Sequence, residues 1–161
     1  MQINARRGAS VTQLSLAELN DIFDPRTALN GLLGRKAAER QDRQAIDRLA
    51  VAVDRLTGLA EGSDIDSYTA AVYAAHRLMA EASGNAFLTR LVFFLAHQTL
   101  RYTRLALSTP QRRRESARNW RRVLAAIDSG DPAAAPAAAE RLSQDSRDAA
   151  LRLLPRQLRG G

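Results

Sequence analysis

The sequence predicts an all-α protein, an antiparallel bundle of six to seven helices. Three observations carry this reading. Apolar residues recur three and four apart along most of the chain. Residues that start and stop helices punctuate that pattern at regular intervals. No stretch alternates with period two for long enough to build a sheet. A chain of 161 residues with a hydrophobic fraction of 45% is enough for one domain with a sizeable core.

The elements follow in order. Ser15-Leu16-Ala17-Glu18 is a capping box, in which the Ser oxygen takes the Glu18 N–H and the Glu side chain returns the bond. It starts a short helix to about Phe23. Asp24-Pro25 marks a second start, since proline fits the first helical turn. Leu29, Leu32, Leu33, Ala37 and Ala38 continue that helix at the right spacing. A third helix spans about Asp42 to Ala60, with Ile46, Leu49, Val53 and Leu56 on one face. Glu61-Gly62-Ser63-Asp64 is a turn. The fourth helix runs to about Ala82, with Tyr68, Val72, Ala75 and Met79 as its stripe and His76 beside it. Ser83-Gly84 ends it. A long fifth helix is expected from Asn85 to about Leu107. Ser108-Thr109-Pro110 opens the sixth, which ends at Ser129-Gly130. Asp131-Pro132 opens the seventh, which runs through an alanine-rich stretch to about Leu154. Pro136 falls in its first turns, where it kinks the helix or delays its start.

Composition narrows the function. The chain has no cysteine, which removes disulfides and thiolate metal sites. No apolar run reaches the roughly 18 residues that cross a bilayer, and the N-terminus has no apolar signal segment. A cytoplasmic protein without a membrane partner is the default. The net charge is +7, almost all of it arginine, with Lys36 the only lysine. Most arginines are interleaved with acids. The dense cluster is Arg112-Arg113-Arg114 followed by Arg118, Arg121 and Arg122, either a solvated helix start or a contact for a polyanion. Catalysis has little support: His76 and His97 are the only histidines, and no Ser-His-Asp spacing or Gly-rich phosphate loop occurs. The chain is not read as an enzyme.

Three segments carry a resemblance: Asp64-Ile-Asp-Ser-Tyr-Thr-Ala-Ala-Val-Tyr-Ala-Ala-His76, then Ser83-Gly84-Asn85, then Trp120-Arg-Arg-Val-Leu-Ala-Ala-Ile-Asp-Ser-Gly-Asp131. In order and spacing the chain resembles the effector-binding (FCD-type) C-terminal domain of FadR-type transcription regulators in the GntR family. The resemblance covers roughly residues 15–150. Ser15 to Arg26 resembles the family's opening helix and the start of the next, with Arg26 at a position often occupied by arginine and Asn30 where a Glu is usual. Ala5 to Val11 resembles the last strand of a winged helix-turn-helix. The implied organisation is a wing and linker remnant over residues 1–14, a helical effector-binding and dimerisation domain over 15–155, and a frayed tail over 156–161.

That resemblance implies a homodimer and binding to DNA through a winged helix-turn-helix not contained in this chain. It also implies a small-molecule effector, expected to be a carboxylate. In the family an Asp and a His one turn apart, with two further His, hold a metal ion. Here those positions are Val72, His76, Trp120 and Leu142, so the expectation is no metal and no cofactor.

The expected ligand-binding residues are Arg26, Tyr73, His76, Gln98, Arg101 and Trp120. Arg26 either turns inward to grip a carboxylate or lies exposed beside Asp24. His76 either binds the effector or is a core histidine accepting the Trp120 indole N–H. Gln98 and Arg101 share a stripe with Leu91, Phe94 and Leu105, and either line a pocket or sit at its wet edge. Tyr73 and His97 are weaker candidates. Two readings follow. One is the effector-binding part of a ligand-responsive bacterial transcription regulator. The other is a stand-alone helical dimerisation or interaction protein whose arginine-rich helix binds nucleic acid or an acidic partner.

Overall fold

The computed structural model describes residues 14–158, with side chains as far as Leu154. The wing expected over residues 1–14 therefore falls, apart from Leu14, outside the described residues. Those residues form seven α-helices and no strand: α1 (Leu16–Arg40), α2 (Arg43–Leu59), α3 (Ile65–Ser83), α4 (Ala86–Gln98), α5 (Leu100–Ala106), α6 (Pro110–Asp128) and α7 (Ala134–Leu158). The helix of α7 thus continues into the segment expected as a frayed tail.

Local chemistry explains most boundaries. Both bonds of the Ser15–Glu18 capping box form. Asp42, Asp64, Asn85 and Thr109 each cap a helix by accepting a backbone N–H three residues on. Asp131 takes the N–H groups of Ala133 and Ala134 and so opens α7, with Pro136 inside its first turn. Gly84 ends α3 at a φ of 68°, in the left-handed region where a Cβ is strained.

Two expected boundaries are corrected. The first is the break at Asp24-Pro25, since α1 runs unbroken through Pro25. Proline leaves the Asp21 carbonyl without its N–H donor. Asp21 and Pro25 are both exposed, which leaves that carbonyl on the solvent side of the helix, while Phe23 and Arg26 on the other face stay buried. The second is the continuous helix over 85–107. The chain breaks at Thr99, which has φ −109° and ψ 7°. Its hydroxyl bonds back to the Leu95 and Ala96 carbonyls, competing with the helical ladder.

Helix α1 is the spine of the bundle and packs on α3, α4, α6 and α7. Its close approach to α7 depends on Gly34, where a Cβ would stand 2.7 Å from the Ala135 carbonyl oxygen. The alanine-rich start of α7 is thus a close-packing surface. The core divides into a large cluster around Leu33, Leu49, Met79 and Trp120, and a smaller one in which Leu19 and Phe23 meet Tyr102, Ala150 and Leu154. Arg26 and Asn30 lie on α1 between the two.

The arginine cluster of α6 divides by position. Arg113 is 2% exposed. It donates to the carbonyls of Ala60, Gly62, Leu107 and Ser108, tying the ends of α2 and α5 to α6. Those carbonyls carry the negative ends of helix dipoles, which stabilise a buried cation. Arg114 pairs with Glu61 and Arg112 with Glu115. A wholly solvated helix start is therefore corrected, because the helix ends facing α6 need a donor.

Candidate functional site

Arg26 is 3% exposed, although it carries a charge. One terminal nitrogen donates to Thr99 Oγ1 at 2.6 Å and more weakly to Thr103 Oγ1 at 3.4 Å. The guanidinium carbon stands 5.1 Å from the centre of the Phe23 ring. Its Nε–H has no partner, and no carboxylate pairs with it among the described residues. Burial pushes its pKa down to about 10, with the nearby Tyr73 oxygen opposing the fall.

His76 follows Val72 by one turn of α3. Its ring meets Trp120 edge to face, with centroids 4.8 Å apart and planes at 88°. Nε2 lies 3.5 Å from the Asn30 amide nitrogen and accepts from it when the ring proton is on Nδ1. Burial first, and the Arg26 charge second, push the His76 pKa down to about 3. The imidazole is neutral at physiological pH.

A cavity joins these groups. It is walled by Arg26, Val72, His76, Thr103, Trp120 and Leu142, with Ser116, Ser143 and Ser146 completing it from α6 and α7. Its free volume is about 10 Å³. That holds roughly one water molecule and no metabolite. Asn30 stands behind it, donating to Ser143 Oγ while its own Oδ1 has no partner. The site therefore holds one unused buried donor on Arg26 and one unused buried acceptor on Asn30. Leaving such groups unmade costs about 1–3 kcal/mol each.

The expected residues divide accordingly. Arg26, His76 and Trp120 meet at the cavity. Tyr73 is half-buried and donates to the Ala96 carbonyl at 2.8 Å, next to the Thr99 break rather than in the cavity wall. Gln98 and Arg101 are both exposed, and Arg101 borders a separate surface depression with Tyr102 and Arg104. They are corrected out of the cavity, because they lie on the opposite face of these helices from the buried one. Leu88, Val92, Ala96, Thr99 and Thr103 keep helical spacing through the break, so Thr99 and Thr103 face inward one turn apart while Gln98 and Arg101 face water. Leu91 and Phe94, expected on the inward stripe, are also exposed; Leu88, Val92 and Ala96 are buried instead. His97 is exposed. The hydrogen bond expected from the Trp120 indole to His76 is replaced by the perpendicular ring contact, since His76 Nε2 faces Asn30. Reading the sequence missed Asn30, Thr99, Thr103 and Ser143 as members. The Thr-x-x-x-Thr spacing at the end of an apolar helix was the available signal.

The donor set does not fit a metal ion. Val72, Trp120 and Leu142 all border the cavity and none offers a ligating atom. No group of three or more His, Cys, Asp or Glu that could hold a metal occurs among the described residues.

Seven helices closed around a small cavity define an all-helical bundle domain. Within that class the chain belongs to the FCD domain family, whose match spans residues 21–145. Over 125 residues it is 29% identical to a probable D-xylose utilization operon transcriptional repressor of Paenarthrobacter nicotinovorans, across 78% of this chain and 54% of that protein. The chain thus spans about half the length of that curated relative. Its fold matches the solved structure of E. coli McbR/YncC with a TM-score of 0.79 at 16% identity, covering 87% of this chain and 71% of that one. At that identity the likeness concerns the fold alone.

Proposed function

We propose that this chain is the effector-sensing and dimerising part of a bacterial transcription regulator, acting in the cytoplasm and binding a small carboxylate rather than a metal. One observation carries the reading: Arg26 is a buried cation without an anion, and its Nε–H is unused. A carboxylate supplies the missing charge and accepts two parallel bonds from a guanidinium. A hydroxyl on the same molecule would answer the acceptor at Asn30 Oδ1. The named relative's link to D-xylose makes a neutral sugar the competing ligand.

The small cavity means that binding requires opening. The α4–α5 break is where this reading places the movement. Thr99 holds Arg26 and also ends α4, so an anion that draws Arg26 away loosens the junction. Helix α4 carries an exposed apolar stripe, with Phe87 66%, Leu91 43% and Phe94 64% exposed. A continuous stripe of this size suits a second copy of the chain. In this reading effector binding shifts α4 against its dimer partner and so repositions DNA-binding domains joined to the helical bundles. The family implies those domains.

The test is a melting-temperature titration of the full chain with mono-, di- and hydroxycarboxylates and with D-xylose. A ligand of the folded state raises the melting temperature with concentration. The expected result is a rise with an acid that is lost in Arg26→Met. A rise with D-xylose that survives Arg26→Met would overturn the carboxylate reading. Silence from every acid would favour a domain packed shut by Val72, Trp120 and Leu142 that serves for dimerisation alone.

A further inference from the structure

We propose that the cleft between α6 and α7 is a second anion site, on the outside of the bundle and separate from the Arg26 cavity, for a phosphorylated small molecule. The cleft encloses about 400 Å³. Arg112, Arg118 and Arg122 face it from α6, and Arg141 and Arg152 from one stripe of α7. Three carboxylates share it: Glu115, Asp145 and Asp148.

Those carboxylates are already engaged. Glu115 pairs with Arg112 at 3.1 Å, Asp145 with Arg141 at 2.9 Å and Asp148 with Arg147 at 3.2 Å. Arg122 donates only to the Asn119 side-chain oxygen, at 3.1 Å. Arg118 and Arg152 form no ion pair among the described residues. Three guanidinium groups from two helices thus face one cleft without a counter-charge. Arg118 and Arg122 are one turn apart, an arrangement that repels and destabilises an isolated helix.

An independent observation lies in the wall. Arg112 is 8% exposed, and its Nε–H is buried without a partner. Its side chain borders both this cleft and an adjoining depression of about 290 Å³. That depression continues past Arg152 onto Ala106, Ala149 and Leu153, a less polar shelf. The combined shape suits a molecule with a strongly anionic end and a less polar body.

Phosphate fits better than carboxylate because a tetrahedral dianion offers three terminal oxygens to guanidinium groups arriving from opposite sides. A nucleic-acid backbone fits less well. Continuous phosphates would meet Asp145 and Asp148 within the same cleft, and like charges repel. Ser116, Leu142 and Ser143 on the inner sides of the same helices wall the Arg26 cavity, so α6 and α7 separate the two sites.

The test is calorimetric titration of the full chain with pyrophosphate and with inorganic phosphate, at low and at physiological salt. Saturable binding of one pyrophosphate per chain is expected. It should weaken roughly tenfold or more in Arg118→Gln/Arg122→Gln, and also in Arg152→Gln, and stay unchanged in Arg26→Met. Arg118, Arg122 and Arg152 are exposed, so these variants keep the fold, which circular dichroism verifies. Absence of saturable binding, or binding equal to the parent in the double variant, would overturn the proposal. Loss in Arg26→Met alone would place the anion inside the bundle and overturn it too. Binding of random-sequence duplex DNA through the same arginines, with pyrophosphate unable to compete, would make the cleft a nucleic-acid surface instead.

Discussion

Replacing Arg26 by methionine should stabilise the protein in the absence of ligand. Burial lowers the Arg26 pKa from 12.5 to about 10. At about 1.4 kcal/mol per tenfold, that is about 3 kcal/mol against burying the charge. The bonds to Thr99 and Thr103 and the contact with Phe23 return about 1–2 kcal/mol. Methionine keeps most of the apolar stem and its packing. The net expectation is a gain of about 1–2 kcal/mol, or a melting temperature roughly 2–8 °C higher for a chain of this length. The sign with pH follows from linkage. The folded pKa lies below the unfolded one, so the charge opposes folding at every pH below about 10 and is relieved only as the pH rises through that value. The difference between the two proteins is therefore flat across the neutral range. The assay is thermal and urea unfolding in a buffer free of carboxylates and phosphate. A variant destabilised by more than about 1 kcal/mol would refute the reasoning, because Arg26 would then be holding the fold rather than waiting for an anion.

Other outcomes follow from the same geometry. The His76 pKa lies far below its usual 6.5, at about 3, so the unfolded chain takes up a proton that the folded chain refuses. Stability should fall with a slope approaching about 1.4 kcal/mol per pH unit as the pH drops below about 6.5, and acid unfolding should show this component missing in His76→Asn. Gly34→Ala should destabilise by about 1–2 kcal/mol in chemical denaturation, since its Cβ would meet the Ala135 carbonyl oxygen, which cannot rotate away. Gly31→Ala should cost less than that or nothing, because the atoms in its way belong to the Glu140 side chain. Phe87→Glu/Phe94→Glu should shift a dimer to monomer in light scattering with no loss of helicity, as both rings are mainly exposed.

Much of the fold was legible in outline. The helix starts at Ser15, Asp42, Asp64, Asn85 and Thr109 rest on residues whose side chains bond backbone three positions away. Such signals need nothing beyond the local chain. The same is true of the place of His76 one turn after Val72, and of the absence of ligating atoms at Val72, Trp120 and Leu142. Tertiary structure settled the rest. Pro25 sits within a continuous helix because the core grips Phe23 and Arg26 on one side of it. Thr99 breaks the next long helix without shifting its phase, and packing chose the face of Leu88, Val92 and Ala96, which brings Thr99 and Thr103 in to Arg26 and leaves Gln98 and Arg101 in water.

The sequence by itself therefore determined the all-helical class, most of the helix boundaries and the lack of ligating atoms at Val72, Trp120 and Leu142, because capping, periodicity and residue type act within a few residues. Only the tertiary structure decided which cations are buried, how small the cavity is and which helix faces remain open. Arg26 depends on Thr99, and Arg113 on the carbonyls of Ala60 and Gly62, partners 73, 53 and 51 residues away. Whether a charge at such a position is satisfied is set by the packing of separate helices, which no local pattern encodes.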